Sequence, residues 1–284
     1  YYARVNRDLL FAAGVRAILP HPEVRRTVDL VAVNQFLVHD HVLDDRTLLE
    51  SVRLLPQASI LTFQDSRFCI RAYWTPQYPH SYALRSESEY VDGFVHHMRQ
   101  AASRLRPDGR RAGVLLSGGL DSRYLLALLT DLGETVDTLT FGIRGCDDSR
   151  FAAEVSSRVG ARHQFAELKD DWLIHMANEA VRLTDGLGNV VNLHALPAVN
   201  SSPVEVLYKG FLGDAMFGIA LARSMWGEYD GPTGYRVHQA VHREQGYDFP
   251  DQQRMFTDAF LTQVGDALGD AYRRGMDRAG VPGL

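Results

Sequence analysis

The apolar positions of the chain change rhythm near residue 113. Beyond it, short continuous apolar runs alternate with segments that repeat every three to four residues. This pattern predicts strands over 113–116, 136–143, 161–168 and 204–208, and helices over 122–132, 148–160 and 172–183. Such alternation specifies an α/β fold, a parallel sheet with helices on both faces, whose ligands sit at the carboxyl ends of the strands. Just upstream, Tyr90, Phe94, Met98, Ala101, Ala102 and Leu105 fall on one side of a helix expected over 87–105 and expected to pack on a sheet.

The first eighty residues read differently. An apolar run covers 9–13, and two further runs, 59–63 and 68–74, are expected to pair as a hairpin about Gln64, Asp65 and Ser66. Between them, 29–37 has helical spacing with Asp29 as its cap, and a second short helical stretch is expected from Thr47 until Pro56 ends it. This is a mixed α+β region. Residues 75–85, rich in Pro, Tyr and polar groups, read as a linker, so the chain divides into domains over 1–80 and 86–284. There is no internal repeat and no low-complexity tract.

At 284 residues, 45% hydrophobic and 23% charged, the chain has enough apolar material for two modest cores. A net charge of −5 argues against a broad nucleic-acid surface while leaving room for a local basic pocket. Two cysteines, Cys69 and Cys146, are too few for a disulfide framework, and no apolar run approaches eighteen residues. A cytoplasmic protein without membrane or nucleic-acid partners is the expectation, with a homodimer left open.

The chemistry concentrates in two loops. Residues 113–123 read Gly-Val-Leu-Leu-Ser-Gly-Gly-Leu-Asp-Ser-Arg, a strand entering a Gly-Gly turn that opens a helix. Gly118 and Gly119 let the backbone approach an anion, the first amides of the helix point at it, Ser117 and Ser122 add hydroxyl donors, and Asp121 suits Mg²⁺ beside a phosphate. The plain alternative is a serine-rich turn that only caps a helix. The Walker A spacing and its internal lysine are absent. The second loop, 209–218, reads Lys-Gly-Phe-Leu-Gly-Asp-Ala-Met-Phe-Gly after a strand, a second phosphate or metal contact or else a Gly-rich turn.

The Ser-Gly-Gly-Leu-Asp-Ser segment resembles the ATP pyrophosphatases. Together the two loops resemble the asparagine synthetase family, with Gly210, Asp214, Phe217 and Gly218 matching that family's second motif. The resemblance implies that ATP and Mg²⁺ are bound, with Asp121 and Asp214 as the paired metal carboxylates. It further implies that Ser117, Gly118, Gly119 and Ser122 cradle pyrophosphate, and that Leu115 and Phe141 offer backbone groups to adenine. Phe141 reads equally as a core strand residue, and Lys209 either as a phosphate-binding point charge or as a solvated strand end. Residues 147–148 and 152–153 resemble the helix start flanking the base, and Thr184, Asp185 and Gly186 fall where the family has an acidic substrate-side segment. The runs at 10–13, 16–19, 54–56, 61–63 and 73–74 resemble the closing third of a class II glutamine amidotransferase domain.

The departures matter as much. The family's glutaminase nucleophile is an N-terminal cysteine, whereas this chain opens on Tyr1, and glutamine hydrolysis is not expected of it without an upstream segment. Phe211 stands where the family has a glutamate, or a tyrosine in β-lactam synthetases, and a phenyl ring takes no proton. No lysine follows Lys209, and the synthetase region is expected to be incomplete at its C-terminal end. The resulting expectation is an AMP- and pyrophosphate-forming amide ligase joining a carboxylate, aspartate or a related acid, to an amine. The alternatives are an amide-forming cyclase closing a β-lactam or peptide ring, and a nucleotide-binding regulatory homologue without turnover.

Overall fold

The computed structural model describes residues 1–75, 84–211, 213 and 253–279. Described residues 1–75, 178–189 and 253–279 form one compact unit, and 84–177, 190–211 and 213 form a second.

In the first unit, β1 (Tyr2–Val5) and β2 (Asp8–Phe11) pair antiparallel, and Ala3, Val5, Val15, Ile18, Val24 and Val52 close over their inner face as an apolar core. A four-residue helix, α1 (Val15–Ile18), leads on to α2 (Leu30–His39). Asp29 caps α2 as its sequence predicts, its Oδ1 accepting the Ala32 amide at 3.0 Å while Arg46 pairs with Oδ2. The hairpin also forms, from β3 (Ser59–Gln64) and β4 (Arg67–Ala72). Its central pair, Asp65 and Ser66, has φ of 50° and 60°, the left-handed conformation that matches a two-residue turn to the twist of its strands.

The helix expected over 47–56 does not form. Those residues instead make a turn at Glu50 and Ser51, with isolated bridges from Val28 to Leu49 and from Arg46 to Arg53 on either side of it. The physical cause is visible at Thr47: its hydroxyl serves the carbonyl of Val52 at 2.8 Å and that of Leu49 at 3.1 Å, a local bond that competes with helix formation. Two later helices, α8 (Asp258–Val264) and α9 (Ala267–Ala279), pack on α2 in the same unit. Arg274 and Arg278 of α9 grip Asp44 at 2.7 and 2.6 Å.

The second unit holds a four-stranded, wholly parallel sheet in the order β7-β6-β5-β8, built from β5 (Ala112–Leu115), β6 (Val136–Gly142), β7 (His163–Glu167) and β8 (Val206–Lys209). Helices α4 (Leu120–Asp131) and α5 (Asp147–Arg158) lie on one face, where Leu126, Leu129 and Ala152 meet Ala112, Val114 and Val136. The short helix α7 (Leu196–Asn200) contacts β6 and β7, and His194 just before it packs against Phe141. Along β6, Thr138 bonds Ser156 of α5 while Phe141 meets His194, so successive residues serve opposite faces and both faces are covered. Burial holds the His163 imidazole below the ordinary histidine range, where its Nδ1 meets the Thr138 hydroxyl at 3.0 Å.

The amphipathic helix α3 (Glu87–Arg104) opens on a reciprocal capping box between Ser86 and Glu89. Its main partner is not the sheet but α4, through Phe94 and Tyr124 with ring centroids 5.6 Å apart. Ala102 is its one buried side chain among the described residues, too narrow a stripe to cover a sheet. Helix α6 (Trp172–Thr184) contributes its first residues to the second unit and its later ones to the first. No helix among the described residues is long and apolar enough to cross a membrane.

Candidate active site

Strand register sets the site. Leu115 ends β5 with Leu139 of β6 on one side and Lys209 of β8 on the other, so the loops that leave β5 and β8 emerge side by side at the carboxyl edge. Thr140 holds the first of these loops to β6, donating its hydroxyl to the Leu116 carbonyl at 2.6 Å.

The Ser-Gly-Gly turn is ordered from within. The Ser122 hydroxyl lies 3.0 Å from the Ser117 hydroxyl and within 3.3 Å of the Ser117 and Gly119 carbonyls, and it accepts the Ser117 amide at 3.1 Å. Ser122 is buried, so its side chain braces the turn instead of facing a ligand. The Gly119 amide donates to the Ser117 hydroxyl at 3.2 Å, and the Gly118 amide donates to Asp148 of α5 at 2.9 Å. Gly119 caps α4 without a side-chain bond, so the opening amides of the helix face the turn with the positive end of its dipole.

Gly210 and Gly213 of the second loop lie directly against this turn. A Cβ at Gly210 would stand 2.8 Å from the Ser122 amide nitrogen and 2.9 Å from the Asp121 carbonyl carbon. One at Gly213 would stand 2.6 Å from Asp121 Cγ and Oδ2. Both positions are glycine because the two loops converge on Asp121, a contact between segments that are remote in sequence. A magnesium ion that shares its shell with phosphates needs few protein carboxylates, and Asp121, kept at the loop junction by the bare Gly213, fits as one. No group of three potential ligands gathers among the described residues.

The remaining sequence-predicted residues fall as follows. Lys209 places its ammonium 4.9 Å from the centroid of the Phe211 ring, which is itself 65% exposed. Phe141, near the end of β6, lies tilted against His194 with ring centroids 4.7 Å apart, and Trp172 is edge-on to His194 at 6.3 Å. Asp214, Phe217 and Gly218 lie outside the described residues. Asp185 is not free for a substrate-side role. Its carboxylate accepts the Val15 amide at 2.7 Å and pairs with Arg16 at 3.0 Å, and Gly14 has no space for a Cβ beside it. Sequence reasoning missed Asp148 as a partner of the turn and Thr140 as its tie to the sheet. An acid in the first turn of a helix gave only a signal of dipole complementarity.

The sequence model of asparagine synthase matches residues 95–274, and that of the glutamine amidotransferase domain matches residues 1–74. Amidase chyE of Penicillium rubens is 24% identical over 247 residues, covering 76% of this chain and 35% of the relative. The chain thus spans about a third of that protein's length. Among solved structures, the glutamine-dependent NAD+ synthetase of Acinetobacter baumannii with ADP bound aligns at 22% identity and a TM-score of 0.33, over 50% of this chain and 29% of the other. The NH3-dependent NAD synthetase of Campylobacter jejuni aligns at 12% and 0.27, over 71% and 99%. These scores are too low to bear on the fold, which rests on the sheet order and the sequence match. With more than half of its length matched, the chain belongs to the asparagine synthase family.

Proposed function

We propose that the chain is an ATP-dependent, AMP-forming amide ligase. The observation that carries this reading is the seating of the second loop on the first through Gly210 and Gly213, which focuses a phosphate turn and an acidic side chain on one point. In the proposed reaction an oxygen of a substrate carboxylate attacks the α-phosphorus and the bond to the bridging oxygen breaks. Pyrophosphate leaves with that electron pair. The amine then attacks the acyl carbon and loses a proton, the bond to the adenylate oxygen breaks, and AMP departs.

Each residue has a task in this scheme. Ser117, Gly118 and Gly119 allow the polyphosphate to approach the opening of α4, whose dipole favours the charge that develops on the leaving group. Ser122 keeps that turn in shape. Lys209 and Gly210 border the phosphates from β8, and the backbone at Leu115 and Phe141 faces the base. Asp121, with Asp214 from the second motif, would hold Mg²⁺, which when bound neutralises charge on the departing pyrophosphate.

A second reading is favoured by one specific observation. Phe211 exposes an apolar ring where the family has a proton-accepting side chain, which suits an acceptor other than that of asparagine synthesis, such as the substrate's own amine in ring closure. AMP formation measured across aspartate and a panel of other carboxylates separates the readings. At least one acid should support AMP release, and Asp121→Asn should reduce it by about 100-fold or more. If aspartate is inert while another acid works, asparagine synthesis is excluded. If no acid works and ATP binds without metal, the chain is a regulatory homologue.

A further inference from the structure

The turn that should receive a polyphosphate has a carboxylate already bonded to it. Asp148 Oδ1 accepts the Gly118 amide at 2.9 Å, across 30 residues of sequence. On charge alone this is the wrong side chain for the place, because a negative group beside a phosphate site repels the ligand. Its presence requires another explanation.

The surrounding contacts supply one. A Cβ at Gly118 would stand 2.8 Å from Asp148 Oδ1, 3.2 Å from the Phe151 ring and 3.6 Å from Asp148 Cα, so the first turn of α5 is packed against the backbone of the turn. Gly118 is therefore glycine to admit α5 as well as to admit a ligand. The Gly118 amide is bonded to Asp148 of α5, while the Ser122 hydroxyl bonds Ser117 and Gly119 within the turn itself. Asp148 also sits in the first turn of its own twelve-residue helix, where the dipole offsets much of its charge. One clamp is inside the turn, the other outside.

We propose that Asp148 is a positioning residue for the phosphate turn: by tying the Gly118 amide to the start of α5, it fixes the backbone against which the polyphosphate binds. This inference rests on the ligase reading for its ligand but not for the bond itself. It differs from the opposite possibility, a carboxylate that occupies the cradle and must be displaced, in the sign of a measurable effect. If Asp148 is a clamp, removing it weakens nucleotide binding even though a repulsive charge is lost. If it is a competitor, removing it strengthens binding.

The test pairs two substitutions in the intact chain. Asp148→Ala removes the acceptor, while Asp148→Asn keeps an oxygen acceptor and removes only the charge. Titration with ATP and Mg²⁺ should show affinity about fivefold weaker in D148A, with most of it restored in D148N. In parallel, residue-resolved hydrogen exchange without nucleotide should show the Gly118 amide protected in the parent and in D148N and faster in D148A. Tighter binding in D148A, or equal weakening in both variants, would overturn the proposal, as would an unprotected Gly118 amide in the parent. Failure of the parent to bind ATP would refute the ligase reading alone, because the exchange measurement still decides whether the clamp exists.

Discussion

Asp121 depends on what its neighbours lack. Its carboxylate lies at the junction of two loops because Gly213 presents no side chain there, and a methyl group at that position would meet Asp121 Cγ at 2.6 Å. Gly213→Ala should therefore leave the unit folded, since a side-chain carboxylate can turn aside, yet lower AMP formation by about tenfold or more as the metal-binding group is displaced. Parallel thermal unfolding and AMP assays check this. Equal activity in the variant would show that the loop contact is incidental to the chemistry. At Gly210 the obstruction is backbone, the Ser122 amide and the Asp121 carbonyl carbon, so no side-chain movement relieves it. This distinction was beyond the reach of the sequence. Glycine spacing marks a close approach without naming what approaches, and Asp121 is some ninety positions upstream.

Among the elements, helix α9, packed on α2, is also paired with the N-terminal region through the carboxylate of Asp44. Asp44 is mostly buried, with its side chain 11% exposed, and it receives both Arg274 and Arg278. Burial alone would raise its pKa, but the two guanidiniums outweigh burial and hold it below the ordinary carboxylate value. The folded form then binds its proton more weakly than the unfolded form. The contribution of Asp44 to stability is present above the ordinary pKa, about 3.9, and is lost as pH falls through the lower folded value. Asp44→Asn should cost about 1 kcal/mol at neutral pH, discounted because both arginines are more than half exposed, and the difference from the parent should shrink on acidification and in high salt. Chemical denaturation across pH measures it. A difference that grows as pH falls would contradict the pairing. The strand–turn–helix at 113–131 and the hairpin about Asp65 were legible because their signals are local. The stretch 47–56 misled because Leu48, Leu49 and Val52 suit a helix face and a bridged turn equally, and Thr47 decided for the latter.

Across the whole molecule, the division into units is discontinuous, with 178–189 and 253–279 joining the N-terminal residues. A linear reading of composition cannot find this, because ties such as Asp185 to Val15 and Arg274 to Asp44 span 170 and 230 positions. The strands of the sheet and their parallel sense, in contrast, were readable, since each strand announces itself by a short apolar run and each crossover by an intervening helix, although their order was not. The proposed ligase would sever ATP between its α and β phosphates. The most direct test is phosphorus NMR of the nucleotide products formed by the intact chain with ATP, Mg²⁺ and the carboxylate panel. AMP and pyrophosphate in equal amounts are predicted; ADP with orthophosphate, or ATP left whole by every acid, would contradict it.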